Sequence, residues 1–257
     1  MLTKILGISG KKQAGKTSAS NFLCGSEMLH IGIIRYFHIS NDGRLIVNTD
    51  KKEENGETTN MFLEFQSNDI GLNDWLETNV FQHIKPYSFA DSLKKDLCMG
   101  VLGLEWKQVY GDNDDKNSIT KYKYPPGHIR EGEYMTARQV MQFVGTDVMR
   151  AFHNDIWIEN TLTKIEKEES RLAVIADVRF PNEVKAIQTA GGKVIRLTRK
   201  VEEDTDASEV ALDADKYDWA NFDFILENQD ISLEGCHAVL HKKLIDWGYI
   251  NYNFIEN

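Results

Sequence analysis

The chain of 257 residues carries 40 acidic and 30 basic side chains, a net charge of −10, and 41% hydrophobic residues. This allows one sizeable core in one domain with an insertion, and the acidic balance argues against a basic face for non-specific nucleic-acid binding. Cys24, Cys98 and Cys236 lie far apart without C-x-x-C spacing, and neither a signal peptide nor a bilayer-length apolar run is found, so a cytoplasmic protein with no membrane partner is expected.

In chain order, Leu2 to Ser9 (LTKILGIS) reads as a short apolar strand, and Gly15 to Phe22 opens a helix. From about 29 to 66 the character changes. Arg35 to Ser40 alternates loosely, Asn41-Asp42-Gly43 signals a turn, and Leu45 to Val47 resumes an apolar run. Lys51 to Thr59 is charged and turn-rich, and Met61 to Phe65 reads as another strand. A β-hairpin or three-stranded insertion is expected here, packing on the core edge, covering the substrate or forming a dimer contact. Leu72 to Phe81 reads as a helix, Ile84 to Phe89 as a strand, and Ala90 to Val101 and Leu104 to Tyr110 as helical.

Gly111 to Arg130 is polar, aromatic and without clear period, and reads as a functional loop. Thr136 caps a helix through Val144, Gly145 stops it, and a second helical piece runs from Thr146 to Phe152. A helix over Ile156 to Lys167 repeats Trp157, Ile158, Leu162 and Ile165 at helical spacing. Leu172 to Ala176 (LAVIA) is a continuous apolar run, as in a strand buried on both faces. A helix over Asn182 to Ala190, a strand over Val194 to Thr198, an irregular charged stretch from Arg199 to Ala220, a strand over Phe222 to Leu226 and a helix capped by Ser232 complete the chain. Strands alternating with helices predict an α/β fold in three layers, with a five-stranded parallel sheet and ligands beyond the carboxyl ends of its strands.

The most particular stretch is Gly10-Lys11-Lys12-Gln13-Ala14-Gly15-Lys16-Thr17, followed by Ser18. It fits the phosphate-binding pattern G-x-x-x-x-G-K-[ST] without mismatch, with a strand before it and a helix after it. The two glycines let the backbone turn tightly enough for several N–H groups to meet one phosphate chain, and the helix N-terminus adds its positive end. Lys16 would bridge the β- and γ-phosphates, and the Thr17 hydroxyl would hold Mg²⁺.

Phosphoryl transfer also needs cations on the transferring group, and Arg130, Arg138, Arg150, Arg179, Arg196 and Arg199 are the candidates. Asp177 follows the LAVIA strand, where it would stand near Mg²⁺ or else pair with Arg179 or cap a helix. Arg138 and Arg150 would otherwise be solvated helical residues. Arg196 alternates with apolar residues and reads as a partner-paired edge residue, while Arg199 is the better lid candidate. Phe143 and Trp157 read as core.

The ordered blocks GISGKKQAGKTSAS (7–20), YSFADSLKKDL (87–97), GDNDDKNSITKYKYPPG (111–127), MTARQVMQFVGTDVMRAFHNDIW (135–157), VIADVRFPNEVKAI (174–187) and GGKVIRLTR (191–199) resemble the phage-type deoxynucleoside monophosphate kinases. TDASEVALD (205–213) and FDFILEN (222–228) match more weakly. The resemblance implies a P-loop kinase fold in a single domain over 1–257, with the insertion at about 29–66 and a lid at about 199–220. It implies ATP as donor, Mg²⁺, a deoxynucleoside monophosphate as acceptor, and a dimer.

Residue by residue, the resemblance makes Lys16, Arg138, Arg179 and Arg199 catalytic and gives the donor the loop from Gly10 to Ser18 together with Asn228. It gives the monophosphate Phe89, Ala90, Asp91, Lys94, Arg138, Asp147, Arg150 and Asp177, and the metal Thr17 and Asp177. Tyr122, Tyr124 and His128 are the residues guessed to cover the base. One departure is Asp206, where the family's lid commonly has a His. The rival readings are a P-loop kinase for another phosphorylated acceptor, such as dephospho-coenzyme A, and a nucleotide-dependent switch.

Overall fold

Strand β1 (Lys4–Ser9) lies at the centre of a five-stranded sheet in which every pairing is parallel. The order is β10 (Phe224–Leu226), β9 (Lys193–Leu197), β1, β8 (Leu172–Val178), β5 (Ile84–Tyr87). Such pairing needs covered faces, and successive residues of β1 enter opposite layers. Leu6 and Ile8 join a core with Phe22, Leu23, Leu240 and Leu244. These come from α1 (Lys16–His30) and α8 (Leu233–Asp246). Gly7 faces α7 (Pro181–Thr189), where an added Cβ would stand 2.8 Å from Ile187. The predicted three-layer α/β fold is therefore present.

This computed structural model describes residues 3–52, 58–199 and 210–252, so Asp206 and the 200–209 part of the expected lid lie outside the described residues. The chain divides into two compact units, Met1–Tyr87 with Ile165–Asn257, and Ser88–Lys164. The first unit also carries the insertion, an antiparallel sheet of β2 (Phe37–Ile39), β3 (Leu45–Lys52) and β4 (Thr58–Leu63), followed by α2 (Ile70–Asn79). Of the two forms expected, three strands is the one found.

In the second unit, α3 (Trp106–Tyr110), α4 (Asn113–Asn117) and α5 (Ala137–Gln142) accompany two π-helical stretches, Leu93–Val101 and Phe143–Arg150. Cys98, Leu104, Val109, Met135, Ala137 and Val140 form its core. Helix α6 (Ile156–Glu168) follows.

Three expectations are corrected. The stretch 111–130 is not a structureless loop: Asp112 caps α4, and β6 (Ile119–Lys123) pairs with β7 (Tyr134–Thr136). These elements are too short to show a period, and only Thr120 of β6 is buried. Nor does Gly145 stop a helix. It lies within the second π-helical stretch, and a Cβ there would stand 2.5 Å from Leu93, so glycine serves close packing. Arg196 does have partners, but its strand β9 lies between β10 and β1 and is not an edge.

Candidate active site

The loop 10–17 leaves β1 at the carboxyl edge of the sheet. Gln13 and Gly15 take left-handed backbone angles (φ 64° and 97°), and Gly15 opens α1. Ala14 N–H donates to Lys11 O at 3.1 Å, closing the turn. Lys16 folds back across it, its Nζ donating to the carbonyls of Gly10 (2.5 Å) and Lys11 (2.6 Å). The cation is thus placed over the turn's own backbone.

Long-range contacts hold the loop. Asn228, 1% exposed, donates from Nδ2 to Ala14 O at 2.8 Å. Its Oδ1 accepts from the backbone N–H of Thr198 (3.1 Å) and Arg199 (2.7 Å), and its carbonyl accepts from Arg199 Nε (3.3 Å). One buried amide therefore joins the loop, the end of β9 and the expected lid arginine. Lys11 pairs with Asp213 at 3.0 Å. Asp213 also lies 3.7 Å from Arg196, which donates to Ser9 Oγ at 3.0 Å and covers the ring of Trp219. Nothing in the local pattern around Asp213 signals this role.

A cleft of about 490 Å³ opens at the loop, within the range of small-molecule sites. Lys16, Thr17, Ser18, Arg199, Asn228 and His237 line it, together with the inserted turn at Asn41–Gly43. His237 Nε2 lies 3.1 Å from Ser18 Oγ, and its ring stacks on Phe22 at 4.3 Å. Burial holds its pKa down to about 4, so the imidazole is neutral at pH 7. Burial also pushes up the Cys236 thiol, which lines the same cleft.

Asp177 and Arg179 lie where β8 ends. The register of β1 on β8 moves from Gly7 opposite Ile175 to Ser9 opposite Val178, leaving an extra residue on β8 just before the loop begins. Bulges of this kind re-aim side chains beside active sites. The turn after Asp177 is fixed by Glu183, 2% exposed, whose Oε2 accepts from the backbone N–H of Arg179 (2.7 Å) and Phe180 (3.1 Å). Sequence reading missed Glu183, although Pro181 with an acid two residues later is a helix-start signal that could have found it.

The remaining expected residues belong to the second unit. Phe89 is buried. Ala90 N–H donates to Ser88 Oγ, and Asp91 accepts from Ser88 N–H, fixing a tight turn. Lys94 Nζ sits 5.0 Å from the Tyr110 ring centroid. Arg138 donates to Asn117 (3.2 Å) and Asn113 (2.9 Å) of α4. Lys116, on the same helix, has its pKa lowered by burial first and then by Lys94 and Arg138, so three cations gather here. Asp147 is exposed and Arg150 half-buried. Tyr124 stacks on His128 at 4.3 Å, both against Phe143, and Tyr122 O–H donates to Leu102 O. Trp157 is core, its N–H donating to Gly145 O at 3.0 Å.

The donor set suits a magnesium ion that keeps several waters. The Thr17 hydroxyl is exposed at the cleft and the Asp177 carboxylate half-buried. Among the described residues no three acids, histidines or cysteines cluster, and an ion held by one or two protein oxygens plus phosphates needs no such cluster.

Residues 4–234 match the deoxynucleotide monophosphate kinase family. A protein of Acanthamoeba polyphaga mimivirus named for that activity is 31% identical over 158 residues, 55% of this chain and 73% of its own. The deoxynucleoside-5'-monophosphate kinase of Escherichia phage T5 is 34% identical over 93 residues, 33% of this chain and 34% of its own. With a phosphate loop in the predicted sheet and a match over most of its length, this chain belongs to the deoxynucleotide monophosphate kinase family.

Proposed function

We propose that this protein transfers the γ-phosphoryl group of ATP to a deoxynucleoside 5′-monophosphate, yielding the diphosphate and ADP. The observation that carries the donor half is Lys16 lying across the loop at the mouth of a cleft that Arg199 and Asn228 also line. An acceptor phosphate oxygen attacks the γ-phosphorus in line as the bond to the β-phosphate oxygen breaks. Loop N–H groups, Lys16, Arg179 and Arg199 stabilise the charge spread over the transferring oxygens. Mg²⁺, held through Thr17 and Asp177, neutralises phosphate charge when bound.

The acceptor is assigned to Phe89, Ala90, Asp91, Lys94, Arg138, Asp147 and Arg150, with Asp177. The gathering of Lys94, Lys116 and Arg138 supports an anionic ligand there, because like charges held together are relieved by an anion. No general base is required, since the acceptor phosphate is already ionised at pH 7.

A coupled ADP-release assay with Mg-ATP and each common ribo- and deoxynucleoside monophosphate tests the reading. Turnover that depends on a subset of deoxynucleotides is expected. ATP hydrolysis that ignores every monophosphate would replace it with a nucleotide switch. ATP binding without turnover on any of them would point to a different phosphorylated acceptor.

A further inference from the structure

In sequence the insertion at 29–66 reads as a small sheet that packs on the core edge, covers the substrate or forms a dimer contact, and Asn41–Gly43 of its Ser40–Arg44 turn form part of the cleft wall. The turn is fixed from several sides. Asn21 of α1 donates to Gly43 O at 2.8 Å. Gly43 holds φ 85°, and an added Cβ would stand 3.3 Å from Ser18, so the turn lies directly on the start of α1. Within the turn, Ser40 Oγ donates to the Asp42 carboxylate and accepts from Arg44 N–H at 3.0 Å. Asp42 also pairs with Arg44 at 3.0 Å, and Arg44 covers the ring of Phe62.

Asn41 sits in this turn, exposed and lining the cleft, and its carboxamide has no hydrogen-bond partner among the described residues. Several other polar groups of the lining are committed. Asn228 spends both ends of its amide on the backbone, and His237 is engaged with Ser18. Gln13 belongs to the phosphate loop itself. A nucleotide whose phosphates are held at Gly10–Thr17 places its sugar and base along the rest of the cleft. The polar edge of that base then needs partners, because burying it unpaired is unfavourable.

We propose that Asn41 is a specificity-determining residue for the donor base, and that the inserted turn exists to present it. A carboxamide offers one acceptor and a pair of donors. It matches the Hoogsteen edge of adenine, where the exocyclic amine lies beside the N7 acceptor, and mismatches the same edge of guanine, which shows two acceptors. Asn21 and Gly43 are positioning residues for the turn. The assignment rests on the donor reading given above.

The test is direct titration of the full chain with ATP and with GTP, for wild type and Asn41→Ala, alongside steady-state kinetics. Wild type is expected to prefer ATP. Asn41→Ala should weaken ATP binding about tenfold, as loss of a bidentate base contact does, and erase most of the preference over GTP. The KM for the monophosphate should stay unchanged. Gly43→Ala, which displaces the turn without touching the amide, should reproduce part of the loss. If wild type binds ATP and Asn41→Ala binds ATP and GTP with unchanged affinities, the assignment of the turn is overturned while the donor reading stands. If wild type binds no nucleoside triphosphate, both fall.

Discussion

The two units handle positive charge in opposite ways. Around the loop of the first unit four cations have defined partners. Lys16 rests on carbonyls, Lys11 on Asp213, Arg199 on Asn228, and Arg196 on Ser9 and Asp213. In the second unit Lys94, Lys116 and Arg138 gather with mostly neutral support. Arg138 leans on two asparagines and Lys94 on the face of Tyr110, while Asp112 and Asp115 offset only part of the repulsion at Lys116. The first arrangement is assembled in advance, so the proposed donor binding there would need little rearrangement. The second holds repulsion that the proposed acceptor phosphate would relieve, so ligand binding there should add stability as well as occupancy.

Perturbing each arrangement separately tests this contrast. The largest expected effect is Lys16→Ala, which should lower kcat about 10²–10³-fold, the scale of losing a transition-state charge stabiliser. Its melting temperature should match wild type, and a loss under tenfold would break the loop assignment. Next comes acid sensitivity of the first unit. His237 is held down to about 4 by burial, against 6.5 when unfolded, so the unfolded chain takes up its proton first as pH falls. Stability should be full above pH 6.5, decline between 6.5 and about 4 by up to about 3 kcal/mol, and level off below. His241, lowered by burial too, adds in the same direction. Urea midpoints across that range should fall in wild type and fall less in His237→Gln; a flat wild-type profile contradicts the buried neutral imidazole.

Asn228→Ala removes partners from the Ala14 carbonyl and from the N–H groups of Thr198 and Arg199. A loss of about 2 kcal/mol in unfolding free energy is expected, the scale of buried polar groups left unpaired, together with weaker ATP binding at an unchanged monophosphate KM. The smallest effect is Arg138→Ala. It should raise the monophosphate KM about tenfold, or about 1.4 kcal/mol, and leave ATP affinity alone. A shift in ATP affinity instead would erase the division of labour between the units.

What could be read from the sequence follows from how local each interaction is. The loop was legible because its pattern is contained in eight consecutive residues. The LAVIA strand was legible because burial on both faces leaves an unbroken apolar run. The hairpin of β6 and β7 was not, since neither strand is long enough to alternate visibly. Gly145 was misread because a glycine that admits Leu93 and one that ends a helix look alike in sequence. Asn228, expected on the donor side, lines the cleft, and its amide links the loop to Arg199 across a separation in sequence that no local pattern shows. Lys11 and Asp213 are some 200 positions apart, and no one-dimensional pattern connects them.

The central place of β1 also shapes how the protein is made. It emerges from the ribosome before any other strand of its sheet, yet its neighbours β8 and β9 begin about 160 and 180 residues later. At ~5–20 residues per second of synthesis, β1 waits roughly 10–40 s with both edges open. An apolar strand in that condition is a template for wrong pairing. Shielding by ribosome-associated chaperones during translation should therefore raise the soluble yield. Refolding from denaturant, which must close the same long loops, should be slow and favoured by dilution.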